Sequence, residues 1–233
     1  VGTYNTGAAV AMGAGTSNST RFGNRTEIIY TNTDVPYIGT WSYHEGIDRF
    51  TVNNNLDAAV ADRLALQAQA KTQLLDNVIG KYISDNAGNT EALTALTDAA
   101  ITTMFDNLAA YYTNIEAIGE KVMKVNTALY NAIVKHPLAT TAKSSSVNID
   151  TNGVIQFRGF TIQELPDAKF QTGEVAYVYI RGVGKPFLGI NTSRAIESED
   201  FDGRALQGAG KYGMFITNDN KKAVSKVTLP VVP

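Results

Sequence analysis

Two histidines, His44 and His136, carry the side chains that titrate nearest neutral pH, so they are the first candidates for acid-base chemistry. A general base also needs a partner that orients it and a substrate within hydrogen-bond reach. His44 falls in an extended segment without a recognisable motif, and His136 stands beside Pro137, which should end a helix. We therefore predict surface or helix-capping roles for both histidines and no catalytic base.

The sequence lacks complete motifs for phosphate binding or for a catalytic nucleophile. Gly208, Gly210 and Gly213 match a dinucleotide fingerprint, but they precede a predicted strand instead of following a strand and opening a helix. We interpret this segment as a flexible turn. The chain has no GxxxxGK loop followed by Ser or Thr, no GxSxG elbow and no cysteine. The sequence therefore argues against NTP use and acyl transfer. The absence of cysteine argues against disulfides and thiolate metal sites.

Oxygen ligands for a metal ion occur in two places. Residues 148–153 mimic the first half of a calcium loop, but Gly159 stands where a glutamate should close the coordination shell, so a turn is the better interpretation. A second segment carries the carboxylates of Glu197, Glu199, Asp200 and Asp202. A solvated loop is favoured there over a divalent-ion site or a contact with a basic neighbour. We predict no metal and no cofactor.

Composition narrows the class of protein. Of 233 residues, 44% are hydrophobic and 18% charged, which is enough to bury a substantial core. The net charge of −2 argues against tight DNA binding through counterion release, though not against lying beside DNA in a confined space. No apolar run approaches the roughly 20 residues that cross a bilayer, and the first residues lack a secretory signal pattern. We expect a soluble, unexported chain.

The elements that must position these residues begin with an arm and a hairpin. Residues 1–24 are rich in Gly, Ser, Thr and Asn and cannot order themselves. Residues 25–52 predict a long hairpin, because two extended stretches, TEIIYT and YIGTWSYHEGIDRFTV, flank the turn-prone NTDVP.

Residues 56–87 predict one very long helix. Asn54 or Asn55 can cap its first amides, Asp57 suits the positive end of the helix dipole, and Gly88 can end it in the left-handed conformation. An apolar stripe runs along one side and is broken midway by Gln67 and Lys71, which should therefore face solvent or a neighbouring molecule. The stripe consists of Leu56, Val60, Leu64, Leu74, Leu75, Val78 and Tyr82. A coiled-coil or bundle helix is the second interpretation.

The rest of the chain mixes helices with strands. Residues 91–118 carry helical spacing, residues 122–125 are a short strand, and residues 126–137 are a helix capped by Asn126. Residues 147–165, 173–182 and 211–229 then alternate like strands, with TNG and NDN as turn signals. This order predicts an α+β chain instead of a regular βαβ series.

Four phrases in this order resemble the major capsid proteins of tailed bacteriophages over nearly the whole chain. HEGIDRFTVNNNLDAAVADRLALQAQAKTQLLD is similar to the junction where the family's extended E-loop enters the spine helix of its peripheral P-domain. VMKVNTALYNAIVKHP and NGVIQFRGFTIQELPD resemble its axial A-domain, and GKYGMFITNDNKKAV resembles its late strand pair. The resemblance implies the Hong Kong 97-like capsid fold.

The resemblance also implies a domain order and a function. The expected parts are an arm over 1–24, an E-loop hairpin over 25–52, a P-domain spine helix over 53–90, a mixed α/β A-domain over 91–215 and C-terminal strands over 216–233 that return to the P-domain. The protein should be structural and not an enzyme. It should form hexamers and pentamers of an icosahedral shell around phage double-stranded DNA, with portal, scaffold or decoration proteins as partners. The location is the virion, after assembly in the bacterial host cytoplasm. Loss of a leader to a maturation protease would explain a start at Val1.

In such a shell the contacts between subunits carry the function. The aromatic residues of the hairpin offer flat apolar surface that the hairpin cannot bury itself, and the two polar residues of the spine should join them at these contacts. The residues concerned are Tyr30, Tyr37, Trp41, Tyr43, Gln67 and Lys71. The acidic loop at 197–202 should gather at a ring centre. An encapsulin-type nanocompartment with enzyme cargo and a monomeric binding or adhesion domain remain open alternatives.

Overall fold

The structure, a computed structural model, describes residues 2–4, 30–32, 34–52, 55–137 and 155–230. Most of the predicted arm and the calcium-loop look-alike lie outside these residues. The chain forms two units, residues 1–37 and residues 38–233. In the first unit, strand β1 (Gly2–Tyr4) pairs antiparallel with β2 (Tyr30–Asn32). The predicted strand around Tyr30 therefore exists in part, but its partner is the start of the chain.

A sheet of three antiparallel strands opens the second unit. It contains β3 (Gly39–Asp48), β9 (Lys185–Glu197) and β10 (Gly203–Phe215) in the order β3-β10-β9. Among the described residues the pairing predicted within 25–52 is not found: β2 pairs with β1, and β3 pairs with β10 along its full length. The same pairing puts β9 and β10 in one sheet with β3, and not in the sheet formed by the strands of residues 121–180. Local patterns identify these strands, but the pairing joins segments that are far apart in sequence.

The second sheet has six strands and holds the main core. Its order is β4-β11-β8-β5-β7-β6, with β4 parallel to β11 and β5 parallel to β7. The strands are β4 (Asn89–Ala92), β5 (Lys121–Asn126), β6 (Ile155–Phe157), β7 (Phe160–Leu165), β8 (Glu174–Ile180) and β11 (Val224–Thr228). The C-terminal strand β11 falls within residues 216–233, whose predicted place is the P-domain. It lies inside the sheet, because hydrophobic Val224 and Val227 pack with the core.

Two helices cover one face of the six-stranded sheet. Helix α2 (Asp98–Asn114) starts at Thr97, whose side chain accepts a hydrogen bond from Ala100 N, and α3 (Thr127–Lys135) starts at the predicted cap Asn126. The helix expected from residue 91 begins later, because residues 89–92 form β4. Phe105 and Leu108 of α2 are fully buried in this core. Burial of each such side chain stabilises the fold by about 1.5–3 kcal/mol.

Helix α1 (Leu56–Asp85) is the predicted long helix, with 30 residues. Its ends differ from the prediction. Asn55 precedes the helix but makes no side-chain cap, and the helix ends at Asn86. Gly88 is not left-handed; its N–H donates to the carbonyls of Lys221 and Val224, and a Cβ there would stand 2.6 Å from Lys221 O. Gly88 is therefore needed for a close approach between chain segments.

The C-terminal end of α1 packs on the second face of the six-stranded sheet. Ile83 lies in a small core with Tyr177 of β8, Val224 of β11 and Met214 of β10. A Cβ on Gly80 would stand 2.7 Å from Lys169 O. The backbone of α1 therefore lies in close contact with the backbone at Lys169. The earlier part of α1 lies against the three-stranded sheet, and one helix thus joins both sheets. No helix of the described residues is long and apolar enough to cross a membrane.

Candidate functional site

The N-terminal half of α1 contacts the three-stranded sheet through polar side chains. Arg63 donates to Glu45 of β3 from Nε at 2.7 Å and from Nη2 at 2.6 Å, and Gln67 Nε2 donates to Glu45 Oε1 at 2.6 Å. The hydrogen bond from Arg63 holds the pKa of Glu45 below its usual value, against the opposing effect of burial. These charge-assisted bonds fix where the helix crosses β3.

One turn further along α1, Lys71 contacts an aromatic pair. Its Nζ lies 4.9 Å from the centroid of the Trp41 ring and 3.3 Å from Asn191 Oδ1 of β9. The rings of Trp41 and Tyr43 stack with centroids 6.0 Å apart. Gln67 and Lys71 break the apolar stripe because they meet the sheet of their own chain. Both side chains remain half-exposed, so their contact with a neighbouring subunit stays a prediction.

Aromatic rings on the three-stranded sheet lie over glycines of the adjacent strand. Tyr43 stands opposite Gly208, and Trp41 stands opposite Gly210. A Cβ would stand 2.3 Å from Tyr43 Cε1 at the first glycine and 2.4 Å from Trp41 Nε1 at the second, so a larger residue would displace the ring. The same relationship joins Tyr212 to Gly39 and Phe187 to Gly213, and the ring of Phe201, in the segment between β9 and β10, lies over Gly46. The segment from Gly208 to Gly213 is therefore strand, and its interpretation as a flexible turn is wrong.

The acidic segment connects β9 to β10. Glu197 pairs with Arg204 where the strands end, Glu199 and Asp200 are exposed, and Asp202 makes a salt bridge to Arg49 with 3.3 Å between Oδ1 and Nε. Within the part of the chain that the structure describes, no cluster of three or more His, Cys, Asp or Glu could hold a metal ion. The loop connects two strands of the three-stranded sheet, and its position at a ring centre stays a prediction.

The two histidines have different surroundings. His44 is exposed on β3, with Nε2 3.3 Å from Gln207 Nε2. His136 follows α3 as predicted, but it is buried: its Nε2 lies 3.1 Å from both Thr102 Oγ1 and Asp98 O. The His136 ring also packs edge-on against Phe157, with 5.4 Å between ring centroids. It therefore joins α3 to the first turn of α2.

A buried carboxylate that no sequence pattern indicates joins α1 to the six-stranded sheet. Glu174 accepts hydrogen bonds from Ser84 Oγ at 2.6 Å, Tyr177 OH at 2.7 Å and Lys226 Nζ at 3.0 Å. Burial alone would raise the pKa of Glu174, but these hydrogen bonds outweigh it and leave the pKa below its usual value. Burial, followed by the hydrogen bond to Glu174, raises the pKa of Tyr177. Ser84 in the last turn of α1 is thus tied to β8 and β11.

Large apolar side chains remain exposed on the second unit. Phe50 is 86% exposed beyond the end of β3, and Ile118 is 93% exposed between α2 and β5. On the edge strand β9, Leu188 is 45% and Ile190 58% exposed. Scattered apolar residues need no explanation, but an aromatic ring held almost wholly in solvent at a turn is a candidate contact. Phe50 could not be recognised from the sequence, because nothing in its local pattern distinguishes it from a residue within the strand.

In this fold a long helix packs on a three-stranded sheet and then on a six-stranded sheet. The fold is shared with chains of phage capsid structures and of an encapsulin complex. No protein-family profile matches the chain, and no curated protein matches it.

Three solved structures illustrate the likeness. The chain is similar to the capsid chain of the Cyanophage P-SCSP1u, with a TM-score of 0.68 and 11% identity over 96% of this chain and 81% of that one. For the mature capsid of bacteriophage PhiM1 the TM-score is 0.67 at 10% identity, over 100% and 82% of the two chains. For the holo-SrpI encapsulin complex of Synechococcus elongatus it is 0.59 at 10% identity, over 86% and 77%. At such identities the likeness establishes the fold.

Proposed function

We propose that this protein is the major capsid protein of a tailed bacteriophage, which assembles into hexamers and pentamers of an icosahedral shell around double-stranded DNA. The observation that carries the proposal is the fold, which is shared with phage capsid chains over almost the whole length of this chain. Its role is structural and not catalytic. The net charge of −2 fits DNA that is held by confinement instead of by tight phosphate contacts.

In the proposed domains, the six-stranded sheet lies in one domain and the three-stranded sheet is shared between two parts of the chain. The E-loop contains β3 and the turn beyond it, the P-domain contains α1 with β9 and β10, and the A-domain contains the six-stranded sheet with α2 and α3. Strand β11 belongs to this A-domain, because it pairs with β4 on one side and β8 on the other. Residues 1–24 remain the proposed arm over neighbouring copies, and Gly2–Tyr4 of this arm pair with β2 within the chain.

Contacts between unlike patches build the shell on this proposal. Tyr37 is 49% exposed, which supports a role for this side chain in a contact between subunits. Trp41 and Tyr43 are half-buried by their own chain, so only their outer edges are available for such a contact. Tyr30 lies in β2, and Gln67 and Lys71 are half-buried against β3 and β9. A heterologous contact of this kind closes into rings when the rotation allows.

Size-exclusion chromatography and negative-stain microscopy of the expressed chain test the proposal. We expect the expressed chain to form large particles or rings. Particles purified from infected bacterial cells should contain nucleic acid and should carry portal, scaffold or decoration proteins. Virions are the expected location, after assembly in the host cytoplasm. A chain that stays monomeric at high concentration would instead support the binding or adhesion domain.

An encapsulin-type shell is the second proposed function, and the likeness to the encapsulin complex favours it. Both functions require a closed shell and differ in what the shell contains. Particles purified from cells would hold double-stranded DNA for a capsid and cargo enzyme for an encapsulin. Nuclease digestion after particle disruption, combined with mass spectrometry of the contents, separates the two.

The acidic loop is proposed to lie near other copies of itself in the shell. Glu197, Glu199 and Asp200 would then repel their counterparts, while Asp202 is already paired with Arg49. Amide replacements at the first three positions should raise the melting temperature of particles at low salt. Identical melting of particles with and without these replacements would return the loop to a solvated role.

A further inference from the structure

We propose that the turn carrying Phe50 on one copy of this chain inserts into an apolar groove on a second copy, at the opposite end of the three-stranded sheet. The inference rests on the proposed function, which needs one repeated contact between copies. It names the two surfaces that form this contact.

The turn presents Phe50 in a fixed position. Phe50 N donates to Asp48 Oδ1 at 2.7 Å, and Thr51 Oγ1 donates to Asp48 O at 2.8 Å. Arg49 N donates to Asp202 O at 2.9 Å, and the Arg49 side chain pairs with the Asp202 carboxylate. These bonds hold the backbone on both sides of a ring that is 86% exposed. A side chain presented on an ordered turn loses little entropy on binding.

The groove lies between α1 and the far ends of β9 and β10. Its volume is about 470 Å³, within the usual size of sites that enclose a ligand group. Leu75 and Ile79 of α1, Pro186 and Leu188 of β9, and Tyr212 and Met214 of β10 form its walls. Leu188 is 45% exposed there, so the described chain leaves this apolar wall open to solvent.

Charge and geometry select a second copy as the occupant. Among the lining residues the charged side chain is Asp76, whereas Arg49 stands next to Phe50 with its side chain 47% exposed. A guanidinium has donors to spare beyond one carboxylate partner. An Arg-Phe turn therefore complements the groove in both charge and polarity.

The two surfaces cannot meet within one chain. Phe50 lies beyond the Asp48–Gly203 end of the β3–β10 pairing, and Tyr212 in the groove pairs with Gly39 at the other end. The 10 residues of β3 separate these ends by about 30 Å, at roughly 3.3 Å per residue. A contact between opposite ends is head-to-tail, so a pair of copies still has one free turn at one end and one free groove at the other. Further copies can therefore add by the same contact until a ring closes.

Disulfide cross-linking tests the contact, and the absence of cysteine from the sequence gives a clean background. The full chain carrying both Phe50→Cys and Leu188→Cys should form a ladder of covalent oligomers on mild oxidation, because each copy links to two neighbours. Phe50→Cys with Thr103→Cys, an exposed position on α2, is the matched control and should give no ladder.

Three outcomes of the cross-linking are decisive when microscopy is done on the same samples. A ladder specific to the Phe50–Leu188 pair supports the contact. Particles without this ladder overturn the contact and leave the proposed function standing. A chain that is monomeric as wild type and as variant overturns the proposed function, and the contact with it.

A mixing experiment with two exposed positions provides an independent measurement. Phe50→Ser and Leu188→Glu should each weaken association at least about tenfold, as expected for removing an aromatic anchor or charging its pocket, with melting of the single chain unchanged. An equimolar mixture should form discrete pairs, because Leu188→Glu chains retain Phe50 and Phe50→Ser chains retain the groove. Normal assembly by either variant alone, or a mixture that stays monomeric while wild type assembles, overturns the proposal.

Discussion

The ring of Tyr43 lies directly across from Gly208, so close that a Cβ on the glycine would stand 2.3 Å from Tyr43 Cε1. The three atoms nearest to such a Cβ all belong to the tyrosine side chain. At the next pair, a Cβ on Gly210 would meet Trp41 Nε1 at 2.4 Å and also the backbone oxygen of Ile190 at 2.5 Å. The first clash can be relieved by removing a ring, whereas the second involves the main chain as well.

This difference predicts opposite results for two double-mutant cycles. Gly208→Ala should lower the free energy of unfolding by about 1–3 kcal/mol, and Tyr43→Ala in the same chain should remove most of that loss. Gly210→Ala should cost at least as much, and Trp41→Ala should not rescue it, because Ile190 O remains. Urea unfolding of the four single and two double variants measures both coupling energies. Equal rescue at the two glycines would contradict the role given to Ile190.

The continuity of α1 is testable with proline. Leu75→Pro removes a helical hydrogen bond and clashes with the preceding turn, at a cost of about 3 kcal/mol or more. Asp57→Pro is the matched control, because position 57 lies in the first turn, where the amide has no partner within the helix. We expect circular dichroism and unfolding to show a large loss for Leu75→Pro and a small one for Asp57→Pro. Similar stability of the two variants would rule out a continuous helix through Leu75.

The histidines should respond differently to replacement. His44→Ala should leave the free energy of unfolding unchanged, because the side chain is exposed. His136→Ala should destabilise the chain by about 1–3 kcal/mol, since it removes a hydrogen-bond partner of Thr102 and Asp98 and a contact with Phe157. Thermal and urea unfolding of the two variants check this. The sequence alone predicted surface or helix-capping roles for both histidines, and the burial of His136 is what separates the two expected results.

The sequence predicts what is local in this fold. The long helix, the Asn126 cap and the short strand before it depend on neighbouring residues, and they are confirmed. Strand pairing depends on distant residues, so the β3–β10 pairing could not be inferred from residues 25–52. Gly208 and Gly210 were misjudged for the same reason, because a glycine under a ring and a glycine in a turn look alike without the partner strand.

The candidate site shows the same limit. Gln67 and Lys71 were recognised as breaks in an apolar stripe, but only the structure shows that Glu45, Trp41 and Asn191 meet them. Burial of Glu174 is still less visible, since its partners come from three separate elements.

The Glu174 cluster sets the sign of a pH dependence. The folded-state pKa of this carboxyl lies below its usual value, so the ionised form stabilises the fold at and above the ordinary pKa of a glutamate. That contribution is lost as the pH falls through the lowered pKa. The raised pKa of Tyr177 keeps its hydroxyl protonated over this range. The carboxylate is therefore the member of the cluster that responds to acid.

Replacing Glu174 with Gln should therefore cost stability in a pH-dependent way. At neutral pH we expect a loss of about 1.5–3 kcal/mol, because an amide cannot accept charge-assisted hydrogen bonds from Ser84 and Lys226 as the carboxylate does. The difference from wild type should hold from neutral pH down to the ordinary glutamate pKa and then shrink. Urea unfolding across this range measures it, with Glu164→Gln on the exposed side of β7 as a control that should stay within about 0.5 kcal/mol of wild type. If the Glu174→Gln difference persists in full below the lowered pKa, the stabilisation comes from packing and not from the charge.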